Sequence, residues 1–172
     1  DERLKSAYQW TTKNQEAHWG FETVLFKDFL ELDASVYDYV VLDTKGGEGK
    51  NELITLARNS ALVVVPTKPD GVSTDGLIVT LKHLLSEQVS NYMVLLTDVP
   101  PPPNTDGHQL RQELLSADID IPMFQASIRH AVAVSKAARA GVRLLDVKED
   151  RYAKLVWMDY SVVAHEVMKY VK

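Results

Sequence analysis

Cysteine is absent from the 172-residue chain, so neither a disulfide framework nor a thiolate metal site is available. An iron–sulfur centre is excluded for the same reason, and a reducing, intracellular compartment is expected, with the cytoplasm as the default. Long hydrophobic runs are also missing. The longest, residues 61–66, falls far short of the roughly 20 residues that a spanning helix needs. No basic-then-apolar leader opens the chain, so no membrane role is expected. Positive charge is in deficit, with 19 Lys and Arg against 24 Asp and Glu and a formal net charge of -5. Bulk attraction to nucleic acid is thereby disfavoured, although a basic patch on one face remains compatible with an acidic total. His165-Glu166 lacks the second histidine of a zinc-protease helix, and no other histidine stands at ligand spacing, so no zinc is expected. Internal repeats and low-complexity linkers are lacking too, which predicts one domain over residues 1–172.

What is present is a hydrophobic fraction of 45%, enough for a sizeable core. Short β-branched runs alternate with longer segments of helical period, the pattern of βαβ units. The pattern predicts strands over 23–26, 36–42, 62–66, 92–97 and 143–146. Helices are expected over 51–59, 74–88, 108–116, 127–140 and 151–170. Residues 36–42, 62–65 and 93–96 are almost continuously apolar, as expected of strands covered on both faces. The fold class implied is α/β, a mainly parallel sheet flanked by helices on both faces. Ser73 or Thr74 is a candidate N-cap, and Gly141 follows Ala140 where a left-handed residue ends a helix. Prolines 100 to 103 must end the 92–97 strand in an extended loop.

Ligands of open parallel sheets bind outside the carboxyl ends of the strands, which directs attention to the loops after Leu42, Val65 and Leu96. The first of these opens on Asp43. An aspartate delivered at a strand tip suits a Mg²⁺-bound water beside phosphates, because a hard cation prefers carboxylate oxygen; a capping or turn aspartate is the alternative. Next comes Lys45-Gly46-Gly47-Glu48-Gly49-Lys50, a glycine-rich stretch whose backbone amides could cradle an anion. Asn51 stands where a phosphate loop carries the Ser or Thr that ligates magnesium. The stretch is therefore either a phosphate loop itself or a flexible loop beside a γ-phosphate.

Three segments in order, Tyr37-Asp38-Tyr39-Val40-Val41-Leu42-Asp43-Thr44, Ala61-Leu62-Val63-Val64-Val65-Pro66-Thr67-Lys68-Pro69-Asp70 and Val94-Leu95-Leu96-Thr97-Asp98-Val99-Pro100-Pro101, resemble the ParA/MinD family of deviant-Walker ATPases. The likeness continues through Ile128-Arg129, Gly141-Val142 and Trp157-Met158-Asp159-Tyr160. Within the family it is most similar to the short ParA-type proteins, among them the carboxysome-positioning ATPases called McdA and plasmid partition ATPases. The resemblance implies a P-loop NTPase-like fold, with ATP and Mg²⁺ as cofactors and hydrolysis coupled to homodimerisation. It assigns Asp43 to the magnesium site and Thr44, Lys45, Gly46 and Gly47 to the loop near the γ-phosphate. Residues 97–101 match the segment bordering adenine, and the resemblance implies Thr97, Val99, Pro100 and Pro101 as its binding residues. Asp1, followed by Ser6, Ala7 and Trp10, resembles the stretch after the family's first aspartate pair, whose second member orients the attacking water. The family's own phosphate loop, with its signature lysine, belongs before Asp1, so a chain of this extent is not expected to hydrolyse ATP by itself.

Arg129, His130, Lys136, Arg139 and Arg143 form the densest basic cluster. The resemblance makes Arg129, Lys136, Arg139 and Arg143 a surface for non-specific DNA, while a solvated helix face is the alternative. Trp157 and Tyr160 stand at core-like spacing in the last helix, where packing is the expected role. The function implied is segregation or spacing of a cargo on the nucleoid, with a ParB-like or McdB-like adaptor stimulating hydrolysis. Two other classes compete: a non-hydrolysing scaffold with the same fold, and a metabolic P-loop enzyme of the dethiobiotin-synthetase kind.

Overall fold

The structure, a computed structural model, describes residues 6–44, 49–148 and 150–171. The chain divides into two compact units: Asp1–Gly46 with Val132–Ala153, and Gly47–Ala131 with Lys154–Lys172.

The second unit carries the sheet. Its elements are α1 (Lys50–Arg58), β1 (Val63–Thr67), α2 (Gly71–Ser86), β2 (Tyr92–Leu96) and α3 (Asp106–Leu115), together with the part of a long helix, Arg151–Tyr170, that begins at Lys154. β1 and β2 are parallel, in the register Val63 opposite Tyr92 through Thr67 opposite Leu96. A further extended segment runs parallel to β2 on its other edge. The N–H of Val94 donates to Pro122 O, that of Phe124 to Val94 O and that of Ile128 to Leu96 O, at 2.9–3.0 Å. Isolated bridges join Val94 to Met123 and Val99 to Arg129.

β2 is therefore central, and all five of its residues are buried. Successive side chains point to opposite faces, so burial of both Val94 and Leu95 means that β2 is covered on both sides. On one side, Tyr92, Val94 and Leu96 join a core with Ile54 and Ala57 of α1, Leu77, Leu81 and Leu84 of α2, and Leu110 and Leu114 of α3. The long C-terminal helix is fastened to the 121–129 segment by Glu166, whose carboxylate accepts the N–H groups of Gln125 and Ala126 at 2.8 and 2.9 Å. β1 is covered less fully: Val65 and Thr67 are buried, whereas Val64 and Pro66 are exposed. Asn91 closes the end of α1, donating from Nδ2 to Ala57 O and Ser60 O.

The first unit holds helices at Ser6–Thr12, Phe26–Phe29 and Val132–Ala140, with 3-10 turns at Ala34–Val36 and Leu144–Asp146. Trp10 anchors the Ser6–Thr12 helix, donating from Nε1 to Val142 O at 3.0 Å and meeting Trp19 edge-on at 6.1 Å. Trp19 in turn packs against Phe21. The helix Val132–Ala140 buries Ala133 and Ala137, one turn apart, and ends at Gly141 with φ +68°, the left-handed residue expected there.

Several expectations are corrected. The chain has coarse α/β character, with seven α-helices and a two-stranded parallel sheet among the described residues. Residues 36–42 form no strand, and Val41 is 90% exposed. Apolar content alone does not make a strand: the backbone needs a partner, and the described residues of its unit contain no other strand. Residues 23–26 likewise form no strand. The expected strand 143–146 is a 3-10 turn, clipped by Arg143 and Asp146 at 2.7 and 3.1 Å. The helix expected over 127–140 begins only at Val132, because Ile128 and His130 give their N–H groups to Leu96 O and Val99 O. The cap of the 71–86 helix is Asp70, which accepts both the N–H and the hydroxyl of Ser73.

Gly141 offers a test of the first unit. A Cβ there would lie 2.8 Å from Lys13 Cβ and 3.0 Å from the Asn14 nitrogen, on a backbone that L-residues avoid. Gly141→Ala is expected to destabilise by about 1–3 kcal/mol, read from chemical unfolding monitored by tryptophan fluorescence. Unchanged stability would contradict this packing.

Candidate functional site

In the first unit, Asp43 follows directly on the 36–42 run and lines an open cleft of about 750 Å³. The other walls are Ser6, Ala7, Gln9, Trp10, Thr12, Lys13 and Ala138. Ser6, Gln9, Trp10 and Lys13 stand at helical spacing, so one face of the Ser6–Thr12 helix and its exit supply most of the lining. The hydrogen bond to Val142 fixes the Trp10 ring, and Ala138, being small, leaves space beside it. The structure thus brings Asp43 together with Ser6, Ala7 and Trp10. Thr44 is exposed beside Asp43, whereas Asp1, Lys45, Gly46 and Gly47 lie outside the described residues.

The donor set can be compared with Mg²⁺ and ATP. The cleft's volume falls in the roughly 300–1,000 Å³ range of small-molecule sites. Asp43 and Ser6 offer hard oxygen donors, and Lys13 offers an ammonium for phosphate. Among the described residues no group of three or more His, Asp or Glu could hold a metal. Magnesium, however, keeps several waters and takes one or two carboxylates alongside phosphate oxygens, so a single carboxylate fits this chemistry.

The carboxyl edge of the sheet in the second unit carries a different group. Asp98 has φ +55° and uses both carboxylate oxygens: Oδ1 meets His130 Nδ1 at 2.7 Å and Oδ2 meets Lys68 Nζ at 3.1 Å. The His130 contact and, less strongly, Lys68 hold its carboxyl below the usual range despite partial burial. Lys68 follows β1, Asp98 follows β2, and His130 follows the bridge of the third segment, so three parallel chain segments each deliver one polar side chain to the same edge. Sequence reading placed Lys68 and Asp98 in loops of interest but assigned His130 to the basic cluster; the signal was its position just beyond an extended run.

The expected adenine-bordering residues are heavily engaged. Thr97 donates from both N and Oγ1 to Thr67 O. Val99 exchanges backbone bonds with Ile128 and His130, and its Cγ1 lies 2.5 Å from where a Cβ on Gly107 would stand. Pro100 is half-buried and Pro101 exposed. Asp43 and Thr44 belong to the first unit and these residues to the second.

Three of the four expected DNA-contacting side chains are already paired. Arg129 binds Asp159 through Nε at 2.6 Å and Nη2 at 2.7 Å, while its backbone N–H adds a third bond at 3.1 Å. Lys136 meets Asp150 at 2.8 Å, and Arg143 meets Asp146. Arg139 makes no ion pair with a described residue. Arg129 lies in the second unit; Lys136, Arg139 and Arg143 lie in the first. Each pairing cancels a charge that would otherwise release counterions from DNA.

No protein-family model matches the chain, and no match to it is found among curated proteins.

The Arg129–Asp159 pair has a measurable consequence. Asp159 is only 12% exposed, and although burial pushes its carboxyl up, the three bonds from Arg129 outweigh that and hold it low. A depressed carboxylate contributes stability that is present above its unfolded pKa, about 3.9, and lost as pH falls through the folded value. Asp159→Asn is expected to cost about 1–3 kcal/mol at pH 7, with the gap to the parent narrowing below about pH 4. Urea unfolding at pH 7 and pH 3 checks both; a gap that is unchanged at low pH would contradict the assignment.

Proposed function

We propose that this chain is the body of an ATP-switched positioning ATPase of the ParA/MinD kind, in which bound ATP and Mg²⁺ close a homodimer that moves or spaces a cargo. The observation carrying this reading is the cleft lined by Asp43 together with Ser6, Ala7, Trp10 and Lys13. Asp43 would hold the water shell of magnesium, and Lys13 would oppose phosphate charge. The magnesium supplies charge neutralisation for the transferring phosphoryl group. The reading also requires a phosphate loop, which the resemblance places before Asp1. A ParB-like or McdB-like adaptor and nucleoid DNA are the partners that this function implies.

A second reading, a non-hydrolysing scaffold of the same architecture, is favoured by the pairing of Arg129, Lys136 and Arg143 with carboxylates. Such pairing reduces the cations free for DNA to Arg139 within the expected set.

The test is steady-state phosphate release by the full-length protein with Mg²⁺ and ATP. Asp43→Ala is expected to lower the rate by at least about tenfold, since the carboxylate acts on the metal's coordination shell. Equal rates would remove Asp43 from the mechanism, and no release from either protein would favour the scaffold.

A further inference from the structure

We propose that the outward row of the C-terminal helix, Leu155, Met158, Val162, His165 and Lys169, docks one amphipathic helix of another protein, which carries an acidic residue where it faces Lys169. None of these residues lines the Asp43 cleft, so the inference does not rest on the ATPase reading.

The first support is spacing. The five positions follow one another at intervals of three, four, three and four, which sets them on a single stripe of the helix and is the repeat of a coiled-coil seam. A different row faces inward: Val156 and Val163, one heptad apart, are buried. A helix that packs through one face alone carries polar residues on the other. Here the outer row opens instead with Leu155, Met158 and Val162, which are 38%, 60% and 52% exposed. They cover about 10 Å of helix, and the exposed Trp157 and Met168 stand beside them. Contiguous apolar surface marks an interaction site, and Trp and Met are the side chains that adapt best to a partner.

The second support is charge. From Lys154 onward the helix has two acids, and both are spent on the 121–129 segment: Asp159 is closed on Arg129, and Glu166 accepts the N–H groups of Gln125 and Ala126. Lys154 and Lys169 are exposed, and neither forms an ion pair with a described residue. The apolar stripe is therefore bounded at both ends by ammonium groups, and acidic flanks on the partner complement it.

The same distribution disfavours a second copy as the occupant. Two copies paired in parallel would set Lys169 against Lys169 and His165 against His165. Paired antiparallel about Val162, they would set each Lys169 against Leu155, covering an ammonium group without a counter-charge. A partner helix with Glu or Asp at that position has neither defect, and a polar pair within an apolar seam fixes the register.

The experiment uses the full-length protein and a fluorescently labelled probe peptide of about 21 residues, three heptads with leucine at the two seam positions and glutamate beside them. Fluorescence anisotropy should show saturable binding, and a version of the probe with lysine in place of glutamate should bind at least about tenfold more weakly. Val162→Asp should weaken the acidic probe by about tenfold or more. Lys154→Glu combined with Lys169→Glu should reverse the preference in favour of the basic probe, a gain that misfolding cannot produce. Equal affinity for the two probes, or affinities that neither variant moves, would overturn the proposal. So would a dimer in sedimentation that Val162→Asp dissolves, which would assign the row to a second copy, or binding to phosphatidylserine vesicles that the same variant abolishes, which would assign it to a lipid surface.

Discussion

Alternating backbone groups of β2 face β1 on one edge and the 121–129 segment on the other, and the organisation of the second unit follows from that double pairing. Because both edges are hydrogen-bonded and both faces buried, neither a shift in register nor a rotation of β2 is available without leaving buried N–H and C=O groups unpaired. The end of β2 is fixed as a result. Thr97 is tied to Thr67, Val99 to Ile128 and His130, and Asp98 between them is held in a conformation that most residues avoid. The row Lys68, Asp98, His130 is a product of strand pairing before it is a product of charge.

The first unit is built on different terms. It has short helices and no strand among its described residues, so directional contacts do more of the holding: the indole of Trp10 on Val142 O, the edge-on Trp10–Trp19 pair, and the close approach of Lys13 and Asn14 to Gly141. Its apolar run ending at Leu42 is left exposed. Each valine or leucine left in water forgoes roughly 1.5–3 kcal/mol relative to full burial, so this run keeps a strong tendency to acquire cover. Asp43 stands at the end of that run, where it lines the cleft.

The sequence was legible where a segment's pattern agreed with its surroundings. Residues 92–97 were read as a buried strand and 151–170 as a helix, and both exist because pattern, length and neighbours agree. The same reasoning failed for 36–42, where periodicity reported apolarity but could not report whether a hydrogen-bonding partner was present. It failed differently at 143–146, where a local Arg143–Asp146 pair favours a tight turn over an extended run. At the sites, the loops after β1 and β2 could be singled out from the parallel-sheet rule, whereas the same rule pointed to Asp43 through a run, 36–42, that forms no strand. The Asp98–His130 contact could not, since 32 positions separate the two residues and neither type is unusual in its own segment. The carboxylate partners of Arg129, Lys136 and Arg143 were hidden for the same reason: basic spacing is visible in a sequence, whereas neutralisation by distant acids is not.

In the second unit β2 is buried and hydrogen-bonded on both edges, while in the first unit the exposed segment 40–44 ends at the proposed nucleotide cleft. Amide hydrogen exchange with and without Mg²⁺ and ATP, on the full-length protein, addresses both statements most directly. The amides of Met93, Val94 and Leu95 should be among the slowest to exchange in both conditions, while those of Val40 to Thr44 exchange rapidly without nucleotide and become protected with it. Fast exchange at β2, or no change at Val40 to Thr44 on adding nucleotide, would contradict it.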